Sequence, residues 1–268
     1  MQDEKYIQRN NFLYSCVTEK YRGNEQFVKE HALGYIMAGE SHFMTNDGVK
    51  IAPSGSMGMV RRNQLVKSTK IPPADGGEFK SVNILLSQEF LRRYANDNKI
   101  EPVGRYTGDG MIPMPNDPFL IGYFNSLLPY FSQNVQPSDS MSELKTKEAV
   151  ELLLRIDPNL KYFLFDFSEP YKIDLEAFMN QNFTYNVPAE QFAKLTGRSL
   201  ASFKRDFEKI FNTSPGQWLL KKRLAEAYYL ITRKGRKVSE VYLDVGFENL
   251  SHFSYAFKKA YGVAPSLV

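Results

Sequence analysis

The stretch "VGFENLSHFSYAFKKAYGVAP", residues 245–265, carries aromatic residues at Phe247, Phe253, Phe257 and Tyr261. The last three recur at intervals of four, the spacing that stacks side chains on one face of a helix. Between them stand His252, Ser254, Tyr255, Lys258 and Lys259. A helix that only fills a core has no need of so many hydrogen-bonding groups on its other face. An upstream segment, "RSLASFKRDFEKIFNTSP" (198–215), repeats the pattern: Phe203, Phe207 and Phe211 lie 50 residues before Phe253, Phe257 and Tyr261, and Pro215 lies 50 before Pro265. Each ladder follows a short helical segment ending in glycine, "PAEQFAKLTG" at Gly197 and "VSEVYLDVG" at Gly246. The glycine stands six residues before the first aromatic in one copy and seven in the other.

Each copy is predicted as helix, glycine-containing turn, helix, the pattern of a helix-turn-helix unit. Glycine suits a turn in which the first helix ends in a left-handed conformation. Pro188 fits the first turn of the earlier leading helix, and Ser239 is placed to cap the later one. On the first ladder helix, Leu200, Phe203, Phe207 and Ile210 are spaced to face a core, and on the second Phe253, Phe257 and Tyr261 are. Between the copies "PGQWLLKKRLAEAYYLITRK" (215–234) predicts one helix, with Trp218, Leu219, Leu224, Ala227, Tyr228 and Ile231 on its apolar side. Twenty residues at ~1.5 Å each span ~30 Å, close to the ~34 Å of one turn of B-DNA. A rigid helix of that length can hold two recognition helices in successive major grooves on one face of a duplex.

Charge supports this. Residues 171–268 hold 15 Lys+Arg against 9 Asp+Glu, a balance of +6, while residues 1–170 hold 19 against 21, a balance of −2. A basic last third favours a polyanionic partner, though a solvated basic surface has the same balance. The 268 residues, 43% hydrophobic and 24% charged, suffice for two soluble globular domains. The single cysteine, Cys16, excludes an intrachain disulfide and fits a reducing compartment, and the N-terminal stretch has no apolar run of signal-peptide type, so a cytoplasmic location is expected. The uncharged stretch 118–138 contains Asn125, Ser126, Pro129, Ser132, Gln133 and Asn134, so it predicts a buried helix ending near Phe131 and not a membrane span.

The first hundred residues predict short strands broken by Gly39-Glu40, Asn46-Asp47-Gly48 and Pro53-Ser54-Gly55, with "QLVKSTKI" and "FKSVNILLS" continuing the pattern toward a sandwich or small barrel. A short helix is expected over 88–96 and a loop over 100–117. From residue 118 the period turns helical. "SELKTKEAVELLLRI" (142–156) predicts an amphipathic helix capped by Ser142 and stopped at Asp157-Pro158. Residues 158–170 lead into a linker near Glu169-Pro170.

The segment "VSEVYLDVGFENLSHFSYAFKKAYGVAPS" closely resembles the C-terminal signature of AraC/XylS-type transcription regulators: Gly246-Phe247, the F-x-x-x-FKK of 253–259, Gly262 and Pro265-Ser266 all match. Tyr242 departs from it, standing where the family usually has alanine. The resemblance covers residues 171–268 and implies seven helices, two helix-turn-helix units and a linker helix that bind DNA together. The N-terminal part resembles the ExsA subgroup through "GYIMAGESHFMTNDGVKIAPSGSMGMVRRNQLVKSTK" (34–70), with "IAPSG" at 51–55, "VRR" at 60–62 and "STK" at 68–70. This implies a cupin-like β-barrel followed by dimerising helices, and in that subgroup the N-terminal domain is also where an anti-activator protein can act. The expected fold is therefore α+β in two domains: a cupin-like barrel with dimerisation helices over 1–165, and an all-α double helix-turn-helix domain over 171–268.

On this resemblance Lys204 matches a position where related activators place a base-reading lysine, able to donate to guanine O6 or N7, and Ala201 could meet a thymine methyl. Arg205 fits either DNA or an intramolecular pair with a carboxylate. Positions 252 and 254 match base-contacting positions of the ExsA subgroup, which assigns His252 and Ser254 to bases; Tyr255 shares their face, and Lys258 and Lys259 are candidates for phosphate. Ser199 is expected to cap its helix. Helix 142–157, with Leu144, Leu152, Leu153 and Ile156, is the candidate homodimer element. The expected partners are double-stranded DNA and RNA polymerase, with a small-molecule effector or an anti-activator protein at the N-terminal domain. The alternative is a cupin-type metal enzyme fused to a DNA-binding tail. It has little support, because the barrel region offers only His31, His42 and Glu40, with no HxH pair, and the chain carries no GxSxG, P-loop or GxGxxG motif. No enzymatic activity, metal or cofactor is expected.

Overall fold

The computed structural model describes residues 4–22, 27–45, 48–101 and 103–268. The chain forms two compact units, the first ending at Ser168 and the second beginning at Glu169.

Among the described residues the first unit begins with twelve strands and one helix: β1 (Glu4–Arg9), β2 (Phe12–Val17), β3 (Tyr21–Arg22), β4 (Phe27–Val28), β5 (His31–Ala38), β6 (Glu40–Thr45), β7 (Gly48–Pro53), β8 (Met57–Val60), β9 (Gln64–Leu65), β10 (Lys67–Ile71), β11 (Phe79–Leu86), α1 (Gln88–Asp97) and β12 (Met111–Met114). Three helices follow: α2 (Pro118–Ser132), α3 (Asp139–Ile156) and α4 (Leu160–Leu164). The strands pair antiparallel into a six-stranded sheet of order β1-β2-β11-β5-β8-β12, a four-stranded sheet of order β3-β10-β6-β7, and a small β4-β9 ribbon. Among the described residues the strands form two main sheets and a ribbon, and these pairings do not close into one barrel. The chain changes sheet between β5 and β6 at Gly39 and between β7 and β8 at Gly55. Gly39 has φ +75°, and a Cβ there would collide with the carbonyl of Ile71. The turn residues Asn46 and Asp47 lie outside the described residues, but the strands flanking them pair as a hairpin, with Thr45 opposite Gly48.

The core lies between the six-stranded sheet and the helices. Phe12, Leu33, Val82, Ile84, Leu120, Phe124, Leu127, Val150, Leu153 and Phe163 are buried in one cluster, and each side chain of this size contributes ~1.5–3 kcal/mol by leaving water. Ser138, not Ser142, caps α3, accepting from the Met141 N–H at 3.2 Å. Ser142 and Thr146 lie on the buried face instead, receiving the side-chain amides of Asn10 and Asn11 at 2.6 and 2.9 Å. Leu153 lies on the same face and is fully buried in its own unit, so it has no surface to offer a partner. The expected loop over 100–117 also contains a strand, β12, which completes the six-stranded sheet against β8.

The second unit is helical: α5 (Leu175–Asn182), α6 (Ala189–Leu195), α7 (Leu200–Phe211), α8 (Pro215–Thr232), α9 (Val238–Asp244), α10 (Leu250–Tyr261) and a 3-10 turn at Pro265–Leu267. Two corrections apply. Lys237 occupies the N-cap of α9 and Ser239 lies inside the helix. Ile210 is 41% exposed, and it is the half-buried Phe211 that turns inward, its ring tilted against Trp218 at 4.7 Å.

Candidate nucleic-acid interface

Helices α7 and α10 are 12 residues each and begin 50 residues apart. Both start with a side-chain cap. Ser199 Oγ accepts from the Ser202 N–H at 3.2 Å, and Asn249 Oδ1 accepts from the N–H groups of Ser251 and His252 at 2.8 and 3.0 Å. Both end in a left-handed residue, Asn212 at φ 52° and Gly262 at φ 79°. Asparagine and glycine are the residue types that tolerate this conformation. Pro215 then opens α8, and Pro265 opens the 3-10 turn. The repeat read from the aromatics therefore extends to the caps.

The inward faces are the aromatic ladders. Phe203, Phe207, Phe253 and Phe257 have no solvent exposure. Tyr261 is not fully core; it is 37% exposed and its ring lies tilted against Phe257 and Tyr228, with centroids 4.8 and 4.7 Å away. The outward faces hold the sequence candidates. Ala201, Lys204 and Arg205 on α7, and His252, Tyr255, Lys258 and Lys259 on α10, are exposed, while Ser254 is half-buried. His252 lies 5.6 Å from the ring of Phe247, which limits its swing. Tyr242 is half-buried, with its ring 6.5 Å from Phe253.

For Arg205 both sequence readings meet in one place. Its guanidinium is 75% exposed and 3.8 Å from Asp206. That carboxylate is already engaged by Arg198 at 3.1 Å and Lys172 at 3.3 Å. These two cations, Arg198 first, hold the Asp206 carboxyl below the usual carboxylate range. Arg205 is left as an exposed fork beside Lys204. Arg198 and Arg223 were not among the residues singled out in the sequence. Each donates to backbone carbonyls inside the second unit.

In the first unit a cavity of about 770 Å³ opens between the two main sheets. Its walls include Ile36, Met57, Met59, Met111, Asn83 and Lys70. The Lys70 ammonium donates to Ser15 Oγ at 2.6 Å and lies 5.5 Å from the centre of the Tyr21 ring. Of the proposed dimer residues, Leu144 is 59% exposed, while Leu152 and Ile156 are half-buried against the unit's own core. His31 is fully buried beside Phe163, at 5.0 Å, and accepts the Arg62 N–H at 3.3 Å through Nδ1. Burial, then the charges of Arg62 and Arg61, push its pKa down to about 3. His42 sits on the other sheet and pairs with Glu40 at 2.7 Å. Among the described residues no group of three His, Cys, Asp or Glu side chains is arranged to hold a metal ion, and no helix is long and apolar enough to cross a membrane.

Comparison with known proteins agrees with this two-part layout. Residues 31–167 match the ExsA N-terminal regulatory domain, and residues 192–268 match a helix-turn-helix domain of the AraC type. The HTH-type transcriptional regulator ExsA of Pseudomonas aeruginosa is 24% identical over 265 residues, covering 94% of this chain and 89% of its own. The thermoregulatory protein LcrF of Yersinia pestis is 25% identical over 189 residues, 66% of each chain. Among solved structures, an apo ToxT variant from Vibrio cholerae aligns over 97% of this chain and 98% of its own at 13% identity, with a TM-score of 0.49. The chain belongs to the AraC-type regulators that carry an ExsA N-terminal regulatory domain, and it is a DNA-binding transcription regulator.

Proposed function

We propose that this regulator is a transcription activator that reads a promoter with α7 and α10 in successive major grooves on one face of the duplex. The observation that carries the reading is the pair of identically long, capped helices, each burying an aromatic ladder and presenting polar or cationic side chains opposite it. Helix α8, with 18 residues, spans ~27 Å, which suits recognition helices about one duplex turn apart. Lys204 donates to guanine edges, Ala201 meets a thymine methyl, and Arg205 supports either base or phosphate contact from the same face. His252, Ser254 and Tyr255 face bases of the second groove, and Lys258 and Lys259 neutralise phosphates.

The first unit regulates. Its exposed α3 surface around Leu144, with Leu152 and Ile156 at the margin, serves a homodimer. The cavity between the sheets receives a small-molecule effector, because its walls combine apolar side chains with a few polar groups; an anti-activator protein acting on this unit is the other control. RNA polymerase is the partner at the promoter. The protein works in the cytoplasm by binding, without catalysis.

Selection of random duplexes by the full chain, followed by footprinting, tests the DNA reading. It should yield a site with two protected major-groove segments about 10 base pairs apart on one face. A single protected segment, or no enriched sequence, would overturn it.

A further inference from the structure

We propose that Arg223 is a positioning residue that fixes the distance between the two DNA readers, a role that rests on the two-groove reading above. Arg223 lies in the middle of α8. Its guanidinium is half-buried, and it joins three separate parts of the second unit. Nε donates to the Phe183 carbonyl at 2.8 Å, Nη2 to the Tyr185 carbonyl at 2.7 Å, and Nη1 to the Gly246 carbonyl at 3.1 Å. Phe183 and Tyr185 belong to the connection between α5 and α6, ahead of the first helix-turn-helix. Gly246 is the turn of the second. One planar fork therefore ties the segment entering the first helix-turn-helix, the linker helix and the turn of the second helix-turn-helix.

The other end of α5 is held in a similar way. Arg198, in the first turn, donates from Nη1 to the carbonyls of Ile173 and Thr196 at 2.9 and 2.8 Å. The turn glycines close both contacts. Gly197 has φ +64°, and a Cβ there would collide with the backbone of Tyr171 and Lys172. Gly246 has φ +93°, and a Cβ there would collide with the Thr184 carbonyl and lie 3.1 Å from the Arg223 guanidinium. Helix α5, eight residues long and so ~12 Å, is thus a strut with the first turn at one end and the second turn at the other. The turns open α7 and α10 directly. A loose second end would displace α10 and leave α7 where it is.

Arginine is the residue for this task. Three donors in a fixed plane meet three carbonyls at once, whereas lysine offers one compact charge without the fork. Burial lowers the Arg223 pKa only to about 10, so the fork stays charged at neutral pH and its hydrogen bonds keep their charge-assisted strength.

The test uses the full chain, wild type and Arg223→Lys, with Arg223→Met as a second variant. Three duplexes are compared: the site recovered by selection, that site with two base pairs inserted between its segments, and that site with the second segment scrambled. The wild type should lose roughly 100-fold on the insertion, the scale of a few lost base contacts. In Arg223→Lys the insertion penalty should fall to a few-fold, because binding to the selected site weakens, while affinity for the scrambled duplex, which α7 alone reads, stays unchanged. Amide exchange should quicken at residues 246–250 and not at 196–200. Equal weakening on all three duplexes would mean a general loss of folded protein and would overturn the proposal, as would an insertion penalty equal to that of the wild type. A wild type that ignores the insertion would instead defeat the two-groove reading, and the positioning role with it.

Discussion

The two helix-turn-helix units share a frame and differ in what they display. At a 50-residue offset Lys204 corresponds to Ser254, Arg205 to Tyr255, and Glu208 to Lys258. Both helices carry a lysine in the last turn, Lys209 and Lys259, but the first adds two cations near mid-helix where the second has neutral groups, and the second adds Lys258 at its end. The turns differ as well. The first is clamped by charge, with Arg198 and Lys172 on Asp206. The second is filled by the Phe247 ring, packed edge-on against Phe253 at 5.1 Å, with Arg223 behind it. A frame can repeat while its surfaces diverge, because buried ladders and caps constrain packing and exposed positions answer only to the partner.

The largest effect should come from the frame. Gly197→Ala and Gly246→Ala each force a side chain into a left-handed turn against backbone, and each should cost about 3 kcal/mol. Urea unfolding followed on the second unit checks this, and a midpoint within error of the wild type would show that the turns yield. Next is the display of α7. Lys204→Ala should cost roughly 2 kcal/mol of specific binding, within the range for one base contact. An unaltered ratio of specific to nonspecific affinity would remove Lys204 from base reading. On α10, Lys259→Ala should weaken all sequences alike and lower the salt-dependence slope by about 1; a sequence-selective loss would move Lys259 from phosphate to base.

The smallest effect concerns pH and separates the two turns. The Asp206 carboxyl is held below its usual range, so its contribution to stability is full above the ordinary carboxylate pKa and is lost as pH falls through the folded value. The first turn should loosen in acid before the second, seen by amide exchange as pH is lowered through 4 and below. Asp206→Asn should loosen the first turn already at neutral pH. Equal acid sensitivity of both turns would mean the ionic clamp is not what holds the first.

Much of the second unit was legible because its signals are local. An aromatic every fourth residue, a glycine before each ladder and a proline after it follow from helix period and turn chemistry. The caps that were misplaced show the limit. Ser142 and Ser239 look like N-caps in sequence, yet the helices begin elsewhere. Ser142 and Thr146 lie on the buried face of α3, where the amides of Asn10 and Asn11, more than 130 residues away in the chain, satisfy them. Leu153 is buried on that same face, and of the candidate dimer residues Leu144 is the exposed one.

By itself the sequence determined the two-part class, the doubled helix-turn-helix frame and the exposed faces that Lys204 and Lys259 occupy, since each depends on spacing within a few turns of chain. Only the tertiary structure decided that the N-terminal strands form two sheets around a cavity, and that Arg198 and Arg223 serve as ties and not as surface charge. In a basic stretch every arginine looks alike. Which one meets distant carbonyls depends on how the backbone of Phe183, Tyr185 and Gly246 is brought together, and no local pattern encodes that.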